Sequence, residues 1–249
     1  MAENSNPNRK PGIGKRGNVE RNAKVFHVVQ RTMMKLPLLE SDQVFDYWQY
    51  HFRICCIEEN ISILCFTVMT NHIHAIIYTE DYRSIGRAFR RLNTGLSQFI
   101  SNKLIKDSDY TKMFPEAEEF RLFSSSPRLF PIEGTIPLFI DTRYLFDNPK
   151  HHGASNTGLY YRHSNFMTLY KGEYERKDLR LFYDLYNMYP GQVMKTISKG
   201  QKEFIEALTE ISRNLDRHKE NLVFKVNPDK DWTSSAENVR DGYKLFDIQ

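Results

Sequence analysis

The sequence predicts an α+β fold, an antiparallel β-sheet with helices packed on one face. Three observations carry this. Short stretches rich in β-branched and aromatic residues alternate with stretches whose apolar residues recur every three or four positions. Their order reads β-α-β-β-α-(β)-α, with two strands joined by a turn, as antiparallel neighbours are. The chain has 249 residues, 40% hydrophobic and 13% aromatic, enough for one large packed domain with appendages.

KVFHVVQR (24–31) has strand composition. Ser41-Asp42 offers a helix N-cap, and Val44, Trp48, Phe52 and Cys55 recur at helical spacing to about Glu59. ISILCFTVMT (61–70) reads as the second strand, Asn71 as a turn, and HIHAIIYT (72–79) as the third strand. From Ser84 to Leu104, residues Ile85, Phe89, Leu92, Leu96 and Phe99 mark an amphipathic helix, with Arg83, Arg87, Arg90 and Arg91 crowding its first half. Residues 106–128 are irregular and charged and read as an insertion or long loop. Arg128 to Pro131 is a candidate fourth strand. Thr135 is a candidate N-cap, with Pro137 in the first turn of a helix that Pro149 ends. Residues 150–165 read as loop, and helices are expected from Leu179 to Tyr189 and from Gly191 to about Lys219. The expected domains are a basic arm over 1–23, a core over 24–172 and a helical extension over 173–249.

Composition narrows the class of function. The longest apolar run, around Ile73 to Ile77, is too short to span a bilayer, and the first residues carry no apolar signal segment. Cys55, Cys56 and Cys65 sit in apolar surroundings and read as reduced thiols of a cytoplasmic protein. Formal net charge is +4. Residues 1–24 hold six basic side chains, among them Lys15 and Arg16, against Glu3 and Glu20, so the remainder is formally neutral. Such an arm can lie along phosphates or stay a solvated tail, and charge alone does not choose.

Two local patterns carry chemistry. In a strand over 72–79, His72, His74 and Ile76 share one face, while Ile73, Ala75 and Ile77 share the other. Two imidazoles two residues apart can grip one divalent cation, or can be a hydrogen-bonded pair with no such role. On a helix, Tyr144 and Asn148 share a face at i and i+4, so a phenol and a carboxamide can approach one site. Equally, Asn148 can be a helix cap before proline.

Taken together, FHVVQR (26–31), VMTNHIHAII (68–77), an arginine-rich helix and YLFDNPKHHG (144–153) resemble the single-tyrosine HUH transposases, and within them the REP-associated tyrosine transposase branch. The resemblance spans roughly residues 24–153; Thr70 stands where the family usually has proline, a turn position. It implies a ferredoxin- or RRM-like HUH endonuclease fold. It further implies Tyr144 as nucleophile, His72, His74 and Asn148 as ligands of Mg²⁺ or Mn²⁺, and a single-stranded or hairpin DNA partner. The implied reaction is cleavage and rejoining of that DNA through a 5′-phosphotyrosine, in a cytoplasmic, nucleoid-associated protein with no membrane partner. Relatives act as monomers or homodimers. Arg87, Arg90, Arg91, Lys15 and Arg16 are candidate DNA contacts, and Arg83, Arg87, Arg90 and Arg91 can equally be a solvated face. His27, His151 and His152 read as structural or loop residues. The competing readings are a domesticated, non-catalytic hairpin binder of the same fold and a metal hydrolase using water, with Tyr144 structural.

Overall fold

The computed structural model describes residues 23–35, 37, 39, 41–102, 122–123, 126–153, 158–173 and 176–216. The basic arm up to residue 22, most of the 106–128 segment and the chain beyond 216 lie outside these residues. Strands β1 (Val25–Arg31), β2 (Ser62–Val68), β3 (His72–Tyr78) and β4 (Arg128–Ile132) form one sheet in the order β2-β3-β1-β4, with every neighbouring pair antiparallel. Helix α1 (Asp42–Glu58) joins β1 to β2, and α2 (Tyr82–Ile100) precedes β4. The resulting β-α-β-β-α-β order is the split βαβ, ferredoxin-like arrangement. After β4 come α3 (Thr135–His151), α4 (Phe166–Lys171), α5 (Arg176–Tyr186), α6 (Pro190–Ile197) and α7 (Gln201–Asp216). Among the described residues, no helix is long and apolar enough to cross a membrane.

Local chemistry sets the boundaries. The Ser41 hydroxyl accepts from the Val44 amide at 3.2 Å and caps α1. Asn60, at φ +53°, takes the left-handed position after the helix; its amide donates to the Ile57 carbonyl and that of Ile61 to the Cys56 carbonyl. These two hydrogen bonds close the last turn. Pro131 sits on β4, at the sheet edge, where its missing N–H costs no ladder bond. The other edge, β2, is covered. The Val68 amide donates to the His163 carbonyl, while the Asn165 side chain accepts from the Phe66 amide and donates to the Leu64 carbonyl.

Both faces of the sheet carry helices, not one. Phe26, Val28, Ile73, Ala75 and Ile77 pack beneath α1 and α2 with Trp48, Phe52, Phe89 and Leu92. Val25, Cys65 and Ile76 pack on the other face with Phe139, Leu145 and Phe146 of α3 and residues of α4–α7. The physical reason is visible in β1 and β3, which are near-continuous apolar runs buried on both sides rather than alternating apolar and polar.

Three boundaries differ from expectation. Gly134, at φ +92°, caps α3, and the Thr135 hydroxyl instead donates to the Leu185 carbonyl at 3.0 Å. Pro149 does not end α3: the helix runs two residues past it to His151, and the His152 amide donates to the Asn148 carbonyl at 3.1 Å, although the proline lacks an N–H for the Leu145 carbonyl. The expected helix from Gly191 is broken at Ser198–Gly200 into α6 and α7. The short α4 lies just past the expected 150–165 loop and stops at Gly172, at φ +82°.

Candidate active site

The site lies between the second face of the sheet and α3. On β3, alternation turns His72, His74 and Ile76 toward α3 and Ile73, Ala75 and Ile77 toward α1 and α2. β1 runs antiparallel beside it, with Val29 opposite His74 and His27 opposite Ile76, so His27 lies diagonally next to His74. On α3, Asp141, Tyr144 and Asn148 fall at i, i+3 and i+7, one stripe facing the sheet. Two ladders therefore oppose each other: His27, His74 and His72 from the sheet, and Asp141, Tyr144 and Asn148 from the helix.

The contacts follow that order. The Nδ1 of His27 is 3.8 Å from Asp141 Oδ1. The Nε2 of His27 is 2.8 Å from His74 Nδ1. The Tyr144 ring centroid lies 6.0 Å from that of His27 and 5.9 Å from that of His74. The rings of His72 and His74 are 4.9 Å apart, and His72 Nε2 is 3.2 Å from Asn148 Oδ1. His72 is 5% exposed, His74 2%, Asn148 1% and Tyr144 9%. The structure thus brings together Tyr144, His72, His74 and Asn148, from segments about seventy positions apart.

Burial fixes the charge state of the histidines. It pushes the His72 imidazole down to about 4, aided by the positive charges of His152 and Arg31 and opposed by the Asn148 oxygen, which accepts from Nε2 when the ring is protonated. Burial, together with His72 and His27, pushes His74 well below its ordinary value. His152, whose ring is 5.0 Å from that of His72, is lowered by the same cause. Neutral imidazoles are the form that coordinates metal.

The proton on His72 can be located. The Asn71 amide group donates from Nδ2 to the Lys35 carbonyl at 3.1 Å, which turns its Oδ1 toward His72 Nδ1 at 2.6 Å. That oxygen only accepts, so the N–H of His72 is on Nδ1 and Nε2 keeps its lone pair. Nε2 then faces the Asn148 Oδ1, acceptor against acceptor, while the buried Asn148 Nδ2 has no hydrogen-bond partner among the described residues. Turning the amide over supplies Nε2 with a donor but strands the oxygen instead. A cation between Nε2 and Oδ1 resolves the facing acceptors. Among the described residues no group of three or more His, Cys, Asp or Glu side chains is arranged to hold a metal. A cation at this point would meet neutral donors, the His72 imidazole and the Asn148 carboxamide oxygen.

The arginines sit elsewhere. α2 packs on the opposite face of the sheet from His72 and His74. Arg87 Nε is 2.6 Å from Glu59, and its guanidinium is 3.5 Å from Asp81; Arg91 pairs with Glu58 and lies 3.9 Å from Glu59. Arg83 and Arg90 make no ion pair among the described residues. Lys15 and Arg16 lie outside the described residues. The sequence reading gave Asn71 as a turn and His27 and His152 as structural or loop residues, and it did not single out Asp141. Asp141 had a local signal, three residues before Tyr144 on one helix stripe. The place of His27 beside His74 depends on strand register.

No known protein-family model matches the chain, and no curated protein does. Among solved structures, the fold overlaps that of a REP-associated tyrosine transposase bound to a REP hairpin, with a TM-score of 0.46 and 15% identity over 62% of this chain and 83% of that one. It also overlaps a candidate transposase from Deinococcus radiodurans R1, with a TM-score of 0.36 and 13% identity over 48% and 86% of the two chains.

Proposed function

We propose that the protein is a metal-dependent single-stranded DNA endonuclease and strand transferase acting on hairpin-containing DNA. Residues 24–172 would be the catalytic unit and 173–249 an extension of it. One observation supports this reading above others. A phenol, two neutral imidazoles and a carboxamide oxygen meet in one buried site, in the residue types and order that the sequence resemblance implies.

His72, His74 and the Asn148 oxygen would hold Mg²⁺ or Mn²⁺, and the ion would supply positive charge against a non-bridging phosphate oxygen as negative charge builds there. The Tyr144 hydroxyl gives its proton to solvent, and its oxygen bonds to phosphorus. The bond from phosphorus to the 3′-oxygen breaks, and that oxygen leaves as a hydroxyl after taking a proton. The 5′-phosphotyrosine that remains keeps the energy of the broken ester, so the strand is rejoined without ATP. Asn71 holds the His72 ring with Nε2 bare, and Asn148 reaches the same point from the helix that carries the nucleophile.

The test is incubation of a hairpin oligonucleotide bearing a single-stranded flank with Mn²⁺, followed by denaturing electrophoresis. A covalent protein–DNA adduct is expected, absent in Tyr144→Phe. Cleavage that persists in Tyr144→Phe assigns the chemistry to water. Hairpin binding without cleavage by the intact protein assigns it to a non-catalytic binder.

A further inference from the structure

We propose that Asp141 and His27 form a positioning relay that keeps the His74 proton on Nδ1 and leaves Nε2 bare as the ligand atom. The inference rests on the reading of His72 and His74 as metal ligands.

A neutral imidazole carries one N–H, and its position decides which nitrogen can bind metal. His72 takes its orientation from Asn71. His74 has no such neighbour on its own strand, and its Nδ1 meets His27 Nε2 at 2.8 Å. One of these two nitrogens donates and the other accepts. Asp141 decides between them. Its Oδ1 is 3.8 Å from His27 Nδ1, and a carboxylate offers only acceptors. With the His27 proton on Nδ1, the N–H dipole faces the carboxylate across 3.8 Å, an electrostatic contact longer than a hydrogen bond, so Nε2 accepts and His74 Nδ1 donates. The reverse arrangement sets a lone pair of His27 against the carboxylate and puts an N–H on His74 Nε2, where it blocks a cation. Both groups are buried, so water does not screen the difference.

The arrangement is built into the fold. His27 and His74 are diagonal neighbours across the β1–β3 ladder, and Asp141 stands one turn before Tyr144 on α3. The relay therefore joins the central strands to the helix that bears the nucleophile. A carboxylate–histidine pair behind a ligating imidazole is a common device, and its removal typically lowers metal affinity 10- to 100-fold.

The experiment uses the full chain with ¹⁵N-labelled histidine and long-range proton–nitrogen correlation spectra of the metal-free protein, with Mn²⁺ affinity from electron paramagnetic resonance. The wild type is expected to show His74 protonated on Nδ1. Asp141→Asn, nearly isosteric, is expected to place part of the His74 population on Nε2 and to weaken Mn²⁺ binding about tenfold or more. His27→Gln, which keeps an acceptor near Nε2, is expected to retain more of the Nδ1 form than His27→Leu. The His72 signals, held by Asn71, stay unchanged. A wild-type His74 protonated on Nε2 overturns the relay, and this measurement needs no variant. So does an Asp141→Asn protein with an unaltered His74 spectrum or unaltered Mn²⁺ affinity. If the wild type binds no Mn²⁺, the metal reading itself falls, and the His74 spectrum alone still decides the relay.

Discussion

The buried histidines predict a specific acid lability. The folded protein holds His72 down to about 4, against 6.5 for an ordinary imidazole, because burial disfavours its charged form. The sign follows directly. Below pH 6.5 the unfolded chain takes up a proton at position 72 that the folded chain refuses, so stability present at neutral pH is lost as pH falls. For a folded value near 4, the loss at pH 5 is about 2 kcal/mol from this residue alone. In a domain of this size that corresponds to a fall in Tm of roughly 4–8 °C. His74, lowered further by burial and by its histidine neighbours, acts in the same direction. The assay is guanidinium unfolding between pH 7.5 and 5 in the presence of EDTA, so that protons do not compete with metal. His72→Gln changes the absolute stability, and its pH slope is the informative quantity: it is expected to be shallower than wild type by about 2 kcal/mol across that interval. Parallel slopes refute the argument, and so does a His72 titration midpoint near 6.5 by NMR. The same depression keeps both imidazoles neutral through the physiological range.

Two further outcomes follow from packing. Phe52 lies fully buried against Trp48, Phe66 and Phe89, so Phe52→Ala is expected to cost about 3–5 kcal/mol in denaturant unfolding; a cost below about 1 kcal/mol contradicts the described core. Burial pushes the Cys65 thiol up to about 12, so at pH 8 only about one molecule in ten thousand carries the thiolate there. Native protein is expected to leave Cys65 unalkylated by iodoacetamide in mass spectrometry, with labelling only on unfolding; rapid native labelling means that β2 is open to solvent.

The parts of the fold that were legible in the sequence are those set by local period. The strand runs around Val28, Cys65 and Ile76 and the helical spacing of Val44, Trp48 and Phe52 need no tertiary information. The parts that were not legible depend on which surface meets which. Helices on the second face of the sheet follow from the apolar remainder of β1 and β3, Val25 and Ile76, once Phe26 and Ile77 are already spoken for. Pro149 was read by its usual effect as a helix end, and the helix instead closes two residues later, at His151. At the site, the pairing of His72 with His74 came from strand alternation, and that of Tyr144 with Asn148 from helical spacing. That these two pairs meet, and that His27 joins them, is set by register.

Register is also why residues far from the chemistry bear on it. A slip of one residue between β1 and β3 moves every side chain of the slipped strand to the other face, and His27 would then lie under α2. A rotation of α3 by one residue turns Tyr144 away by about 100° and brings Leu145 into its place. What resists both is the packing on either side of the two ladders. Phe26 and Val28, adjacent to His27, are locked under α1 and α2, and Leu145 and Phe146, adjacent to Tyr144, are locked against α4 and α5 through Phe166 and Phe182. The apolar residues interleaved with the polar ones thus set the angle at which phenol, imidazole and carboxamide face one another. The arrangement of the site is a consequence of core packing on both faces of the sheet, and the helices of the second face are part of what holds the tyrosine opposite the histidines.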